Sequence, residues 1–563
     1  MDRIIIYQVL PRLFGANSSS NTKNGTIEQN GCGKLNHFTS KALKAIREMG
    51  CNYVWFTGII EHAQQTDYSE YGIRHDNPIV VKGKAGSPYA IKDYYDIDSD
   101  LAEDVPNKMK EFEQLIQRTH KAGLKIIIDF VPNHVARQYH SDSHPLGIRD
   151  LGEDDDQSID FSKHNNFYYI PNQQFGIKNF ASAEEDEEYI EYPAKVTGND
   201  CFCANPSKND WYETIKLNYG IDYQHGWTTH FNDDNDVPDT WNKMLDILRF
   251  WSTKGIDGFR CDMAEMVPCE FWSWAIPQIK SEHENIIFIA EVYNPNQYRN
   301  YIFNGHFDYL YDKVGLYDTL RSVVNGQSAS LITQCWQSVD DISGNMLNFL
   351  ENHDEQRIAS PFFAGNSIKA RPALLVSALM RSNPFMVYSG QELGVDGMEE
   401  SGFSGSDGRT TIFDYWTIDQ FQRFNSNGKW NEKQLTDEEK SIRKYYKKVL
   451  SLCNNEQAIR EGQFFDIMYA NYDNQLMDTN HLYAFLRKQG NELVLVVANF
   501  DNKDVDTQII IPSHAFDYLQ IPSASRTAID LISGKQISIQ LQPDKLIPLH
   551  IPANNGIVLK MLL

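Results

Sequence analysis

At 563 residues the chain is longer than a single hydrophobic core usually serves, so two or three domains are expected. A formal charge of −24 with no basic stripe argues against nucleic acid and anionic lipid as partners, and no apolar run nears the roughly 18 residues that span a bilayer. Eight cysteines without a CxxC pair or a regular framework are expected to be free thiols, Cys201 and Cys203 included.

The first eleven residues, MDRIIIYQVLP, lack the long apolar region and small-residue cleavage site of an export signal and read as a strand. A cytoplasmic location is the matching expectation, with secretion or the periplasm applying to a chain whose leader has been removed. Short runs rich in β-branched and aromatic residues then alternate with helical spacing. IIIYQV (4–9) is followed by the helix-like SKALKAIREMG (40–50), YVWFT (53–57), MKEFEQLIQRTHKAG (109–123) and KIIIDFV (125–131). After DTWNKMLDILRFWSTKG (239–255) come IDGFRCD (256–262), EFWSWAIPQIKSEHE (270–284), IIFIAEV (286–292), FDYLYD (307–312), MLNFLEN (346–352) and PFMVYSG (384–390). These eight strands are apolar nearly throughout, as when both faces are covered, and no GxGxxG follows a strand. The pattern predicts an α/β fold, a (β/α)8 TIM barrel formed by residues 1–134 and 219–455. Residues 135–218, between the third strand and its helix, are too long for a βα loop and predict an inserted subdomain. From 456 to 563 the strand-like runs LYAFLRK, ELVLVVANF, TQIIIP, KQISIQL and IVLKML predict a C-terminal all-β domain, a β-sandwich.

Barrel active sites lie at the C-terminal ends of the strands, and polar residues there carry functional meaning. The third strand ends in Asp129 and runs on through Asn133 and His134; the fourth gives Arg260 and Asp262, the fifth Glu291, and the seventh His353 and Asp354. Residues two apart on a strand share a face, so Arg260 stands beside Asp262 and is expected to hold it ionised, lowering its pKa as suits a nucleophile. Convergent acids with one arginine fit glycoside hydrolysis, where one carboxylate attacks the anomeric carbon and a protonated one serves the leaving oxygen. Phosphoryl transfer would want a glycine-rich cradle and lysines, and a two-metal hydrolase would want more histidines. Singly, each residue reads as a helix cap, a solvated charge or half of an ion pair; together at successive strand ends they read as a site.

DFVPNH (129–134), GFRCD (258–262), the glutamate of FIAEVYN (288–294) and ENHD (351–354) resemble, in order and spacing, the four sequence regions of the α-amylase family of glycoside hydrolases. YVWFTGI (53–59) and VYSGQELG (387–394) look like that family's second and eighth strands, so the resemblance spans essentially the whole chain. It implies Asp262 as nucleophile, Glu291 as general acid and base, and Asp354 as the carboxylate that binds substrate hydroxyls and stabilises the transition state. It implies further that Arg260 positions the nucleophile, that His134 and His353 bind the sugar, that Asp129 supports the arginine, and that Tyr89 packs on the reacting ring. A retaining mechanism sets the nucleophile about 5–5.5 Å from the acid. Asn133 matches a ligand of the structural calcium in many members, and Asp154 to Asp156 offer further oxygens; no organic cofactor is implied.

Two departures stand out. Ser87-Pro88 replaces the usual His-Gly before Tyr89, and Met263-Ala264-Glu265-Met266 lacks the Lys-His pair that contacts leaving-group sugars in many α-amylases. Glu265 there either contacts sugar hydroxyls or caps the following helix. The expected function is a retaining hydrolase of α-1,4-glucosidic bonds in starch, glycogen or maltooligosaccharides. The alternatives are a transglycosylase using the same covalent intermediate, and a non-catalytic binding relative, against which the intact Asp262, Glu291 and Asp354 weigh.

Overall fold

The computed structural model describes residues 3–176, 188–231 and 236–563. Eight parallel strands, Ile5–Val9, Tyr53–Phe56, Lys125–Phe130, Gly258–Cys261, Ile287–Ala290, Tyr309–Tyr311, Met346–Phe349 and Phe385–Tyr388, pair in chain order. The first pairs with the second (Ile6 opposite Tyr53) and with the eighth (Ile5 opposite Phe385), which closes the ring. Each apolar run found in the sequence supplies one strand. Almost every strand residue is buried, because side chains fill the barrel on one face and meet helices on the other.

The helices form for local reasons. In Ser40–Met49, Thr39 caps the start by accepting from the Ala42 amide, and Gly50 ends it in the left-handed region at φ 112°. A side chain at Gly50 would also meet the Leu450 side chain at 2.9 Å, so substitution there strains both backbone and packing. Lys108–Lys121 buries Phe112, Leu115, Ile116 and Thr119, one stripe at helical spacing laid on the barrel.

Three connections at the strands' C-terminal ends are long. After the second strand, Ile60–His62 pairs antiparallel with Ile91–Ile97, a strand outside the eight that the apolar runs predict. After the third, His134–Ala136 pairs with Thr214–Lys216 and Tyr169–Ile170 with Ala194–Lys195. A small apolar cluster there joins Ile79 and Val80 of the second connection to Phe175, Tyr189, Ala194, Ala204 and Tyr212. After the eighth strand, residues 389–418 return across the same face with little regular structure.

Beyond the helix Asp437–Asn455 lies an antiparallel sheet in the order Gln463–Asp466, Leu482–Gln489, Glu492–Asn499, Asn555–Leu562, Ala524–Asp530, Gln536–Leu541. A second ladder pairs Val505–Ile510 with Leu546–Ile551. The barrel helix Arg371–Leu379 carries the contact: every residue from Pro372 to Leu379 is buried, and Arg487 of the sheet donates to the Leu379 carbonyl at 2.9 Å.

Candidate active site

Alternation along the fourth strand points Arg260 and Asp262 to the same side, and the parallel register sets Asp129 opposite Arg260 on the third. Arg260 is wholly buried and makes four polar contacts: Nη1 to Asp262 Oδ1 at 2.8 Å and to Asp129 Oδ1 at 3.4 Å, Nη2 to Glu291 Oε2 at 2.8 Å, and Nε to the Tyr311 hydroxyl at 3.1 Å. Its central carbon lies over the rings of Trp55, Tyr89 and Tyr311 at 5.2 to 5.5 Å, an aromatic surround suited to a weakly hydrated guanidinium. Asp129 is fixed by the Trp55 indole at 3.1 Å and the Gly58 amide at 3.3 Å. Asp262 Oδ1 takes the arginine, and Oδ2 has no protein donor among the described residues.

One guanidinium thus faces three carboxylates, and they cannot all be ionised cheaply. Burial pushes the Asp262 carboxyl well above the ordinary aspartate range; Arg260 opposes this, while the charges of Glu291, Asp129 and Asp354 add to it. That corrects the expectation of a lowered pKa: the arginine's pull is real but is shared, and dehydration with like charges outweighs it. Asp129 is pushed up to about 6, again by burial against the pull of Arg260. The physical content is that the Asp262 carboxyl keeps its proton to higher pH than an isolated aspartate would.

Both oxygens of Glu291 are held. The Tyr293 hydroxyl lies 2.5 Å from Oε1, and the Met263 amide donates to Oε2 at 2.8 Å. Met263 reaches this position with φ at 43°, a left-handed backbone unusual for its side chain, so the chain is bent here to aim that amide. Glu265 accepts from the amides of Tyr293 and Asn294 at 2.8 and 3.0 Å. It therefore neither reaches for a sugar nor caps the following helix; it pins the loop that carries the fifth-strand glutamate.

His353, Tyr89 and Asp354 form a second group. Tyr89 stacks on His353, with ring centroids 5.1 Å apart, and its hydroxyl lies 2.6 Å from Nε2; Asp354 Oδ2 is 3.0 Å from the same nitrogen. Gln8 Nε2 donates to His353 Nδ1 at 2.8 Å, which leaves the proton on Nε2. Asn133 likewise donates to His134 Nδ1 at 3.1 Å. Burial drives His134 down to about 3 and His353 well below its ordinary value, with nearby cations adding to both, so both rings are neutral hydrogen-bonding groups.

A pocket of about 380 Å³ brings Tyr89, His134, Asp262, Glu291 and Asp354 together with Lys82, Trp211, Glu213, Tyr293 and Phe413, none of which the sequence reading had singled out. Arg260, His353 and Asp129 stand behind it as support. A larger cavity, about 650 Å³, lies beside the C-terminal sheet at Trp336, Arg381 and Phe464. Its acids are taken: Asp340 pairs with Arg381, and Asp466 accepts from Thr333, Trp336 and Tyr483. The convergent carboxylates Asp262, Glu291 and Asp354 line the smaller pocket.

A calcium at Asn133 does not fit these residues. Its Oδ1 faces the Lys216 ammonium at 3.2 Å, and Lys216 is paired at 2.5 Å with Asp200, so a cation already neutralises the place. Asp154 pairs with Arg149, Asp155 accepts from the Asn166 and Phe167 amides and the Tyr169 hydroxyl, and Asp156 accepts from Ser158. The three acids turn to three different partners, and no metal-holding cluster of His, Cys, Asp and Glu occurs among the described residues. All eight cysteines are free, with the Cys201 and Cys203 sulfurs 3.4 Å apart. No described helix is long and apolar enough to cross a membrane.

The family model for the catalytic domain of alpha amylase matches residues 8–462. The chain belongs to the α-amylase family of glycoside hydrolases. Within this family of glycosidases and transglycosylases it is 21% identical to neopullulanase 2 of Thermoactinomyces vulgaris over 549 residues, covering 95% of this chain and 74% of that protein. It is 26% identical to alpha-amylase 3 of Dictyoglomus thermophilum, covering 67% and 68% of the two chains. Oligo-1,6-glucosidase of Parageobacillus thermoglucosidasius is 21% identical, with 89% and 90% covered. A maltogenic alpha-amylase from Thermotoga neapolitana has the same fold, with a TM-score of 0.62 at 18% identity and 100% and 99% of the chains covered.

Proposed function

We propose that this α-amylase-family enzyme is a retaining glycosidase that cleaves α-1,4-glucosidic bonds of maltooligosaccharides, glycogen or starch. Asp262 Oδ2 attacks the anomeric carbon; the bond to the leaving oxygen breaks as Glu291 delivers its proton there, giving a β-glucosyl ester. Glu291, now ionised, takes a proton from water, whose oxygen attacks the same carbon and releases Asp262. Tyr293 donates to Glu291 when it is ionised and can accept from it when protonated, so the contact survives the cycle. Asp354 and His134 bind ring hydroxyls, His353 holds Asp354 and Tyr89 in place from behind through Nε2, and Tyr89 packs against the sugar ring.

The grip of Arg260 on both acids carries this reading. Two carboxylates held by the two terminal nitrogens of one guanidinium support the short spacing of retaining enzymes over the roughly 6.5–9.5 Å that makes room for a water. Incubation with maltoheptaose, followed by chromatography and anomeric NMR, tests it: shorter α-anomers are expected. Products longer than the substrate would mark a transglycosylase, and β-anomers would refute retention.

A further inference from the structure

The ring order fixes which side of the pocket receives which half of the substrate. Glu291 stands on the fifth strand, so the leaving group lies toward it, Tyr293 and Met263. In a ring of eight the first strand lies opposite the fifth, and the connections after strands two and eight flank the first. The far side of the mouth, where the non-reducing half of the substrate must lie, is therefore built by those two connections. They supply Lys82 and Phe413 to the pocket, and the third connection adds Glu213.

That side is closed. Lys82 Nζ pairs with Glu213 Oε1 at 2.7 Å, the two side chains only 12% and 5% exposed. The ammonium lies over the rings of Tyr212 and Phe413 at 5.8 and 5.9 Å. The second and eighth connections are joined at their backbones, the Ala85 amide donating to the Phe413 carbonyl at 3.0 Å. Arg12 ties them again, with Nη1 on the Ile412 carbonyl and Nη2 on the Ala85 carbonyl, each at 2.9 Å. Gly83 permits the join: its φ is 65°, and a β-carbon there would meet the Phe413 carbonyl oxygen at 2.2 Å. A wall with this much buried support does not open for a chain to run through. It also has unmet capacity, since Glu213 Oε2 is buried with no hydrogen-bond partner among the described residues. A pocket of about 380 Å³ sits near the lower end of the size range for small-molecule sites.

We infer that Lys82 and Glu213 form the closed end of the sugar site, read the free hydroxyls of a terminal glucosyl unit, and restrict the enzyme to cutting single units from non-reducing ends. The inference rests on the glycosidase reading above. The ammonium donates to a terminal hydroxyl and Glu213 Oε2 accepts from one; a further sugar at that hydroxyl would occupy the wall's volume.

The test compares p-nitrophenyl α-maltoheptaoside with its counterpart blocked at the non-reducing end by a 4,6-O-ethylidene group, with products separated by chromatography. Glucose as the only initial small product, and cleavage of the blocked substrate at least about 100-fold slower, are expected. Cleavage of the blocked substrate within a few-fold of the free one, with internal fragments, overturns the inference but leaves the glycosidase reading standing. No turnover of the free substrate overturns both. Glu213→Gln keeps the shape of the wall and should raise KM for p-nitrophenyl α-glucoside about tenfold or more with a smaller change in kcat. An unchanged KM in a folded variant would show that the wall does not touch the sugar.

Discussion

Replacing Arg260 by lysine keeps a positive charge at the centre of the site but removes the fork. The guanidinium serves Asp262 and Glu291 through different nitrogens at 2.8 Å each, and a single ammonium cannot hold both at that length. Losing one charge-assisted hydrogen bond, at about 1.5–3 kcal/mol, predicts a fall in kcat/KM of about 10- to 150-fold. The sign of the pH effect follows from Asp262. Burial raises its carboxyl and Arg260 opposes that, so a weaker grip raises it further. The nucleophile must be ionised, and the acid limb of kcat/KM should move to higher pH, by up to about 1–2 units for the same free energy. Initial rates on p-nitrophenyl α-glucoside across pH 4–9, with circular dichroism to establish folding, give both numbers. A uniform loss at every pH, with the acid limb unmoved, would refute the view that Arg260 acts through the charge of the nucleophile.

Asp262→Asn should lower kcat by at least about a thousandfold with the thermal unfolding midpoint little changed, and substantial residual turnover would reject the nucleophile assignment. Glu265→Ala frees two backbone amides of the loop carrying Glu291 and should reduce kcat about tenfold or more while altering KM less, as measured by steady-state kinetics. Chelation by EDTA should leave activity and melting temperature unchanged, whereas Lys216→Ala should lower the melting temperature, because it strands Asn133 and Asp200 without their cation. The depressed folded-state value of His134, about 3 against 6.5, means that the unfolded chain binds the extra proton between those values. Stability should therefore rise with pH across that window and fall on acidification below about 6.5, by up to about 1.4 kcal/mol per pH unit for this residue. Urea titrations between pH 7 and 5 should show a shallower slope for His134→Asn.

The fold was legible because the barrel imposes one simple demand on composition. A strand covered on both faces must be apolar throughout, and KIIIDF or FMVY satisfies that with no alternation to confuse the reading. A charged residue at the end of such a run is then conspicuous, which is how Asp129, Arg260 and Asp262 could be found. The hairpin strand Ile91–Ile97 escaped notice for the opposite reason. IKDYYDI mixes polar and aromatic residues, since it lies between loops and contributes Asp93 to a network with Ser141 and the Asp142 and Ser143 amides.

The site was legible only where chemistry follows the strand. Tyr293 lies two residues beyond Glu291, and the period of an extended chain could have nominated it; Tyr311 and Trp55 sit on strands whose inward faces could be counted. Lys82 with Glu213 and Asn133 with Lys216 are different. Each pair joins residues far apart in sequence: Lys82 meets Glu213 because the second and third connections are held together, and Asn133 meets Lys216 because the third folds back on itself where His134–Ala136 pairs with Thr214–Lys216. Separate readings of the two members give a solvated lysine and a solvated glutamate in one case, a metal ligand and a stray cation in the other. The strand ends carry the acids of the proposed reaction, whereas the connections between strands shape the pocket around them. The Arg12 and Gly83 contacts that lock those connections together are consequently the features to examine when specificity differs between this enzyme and others with the same acids.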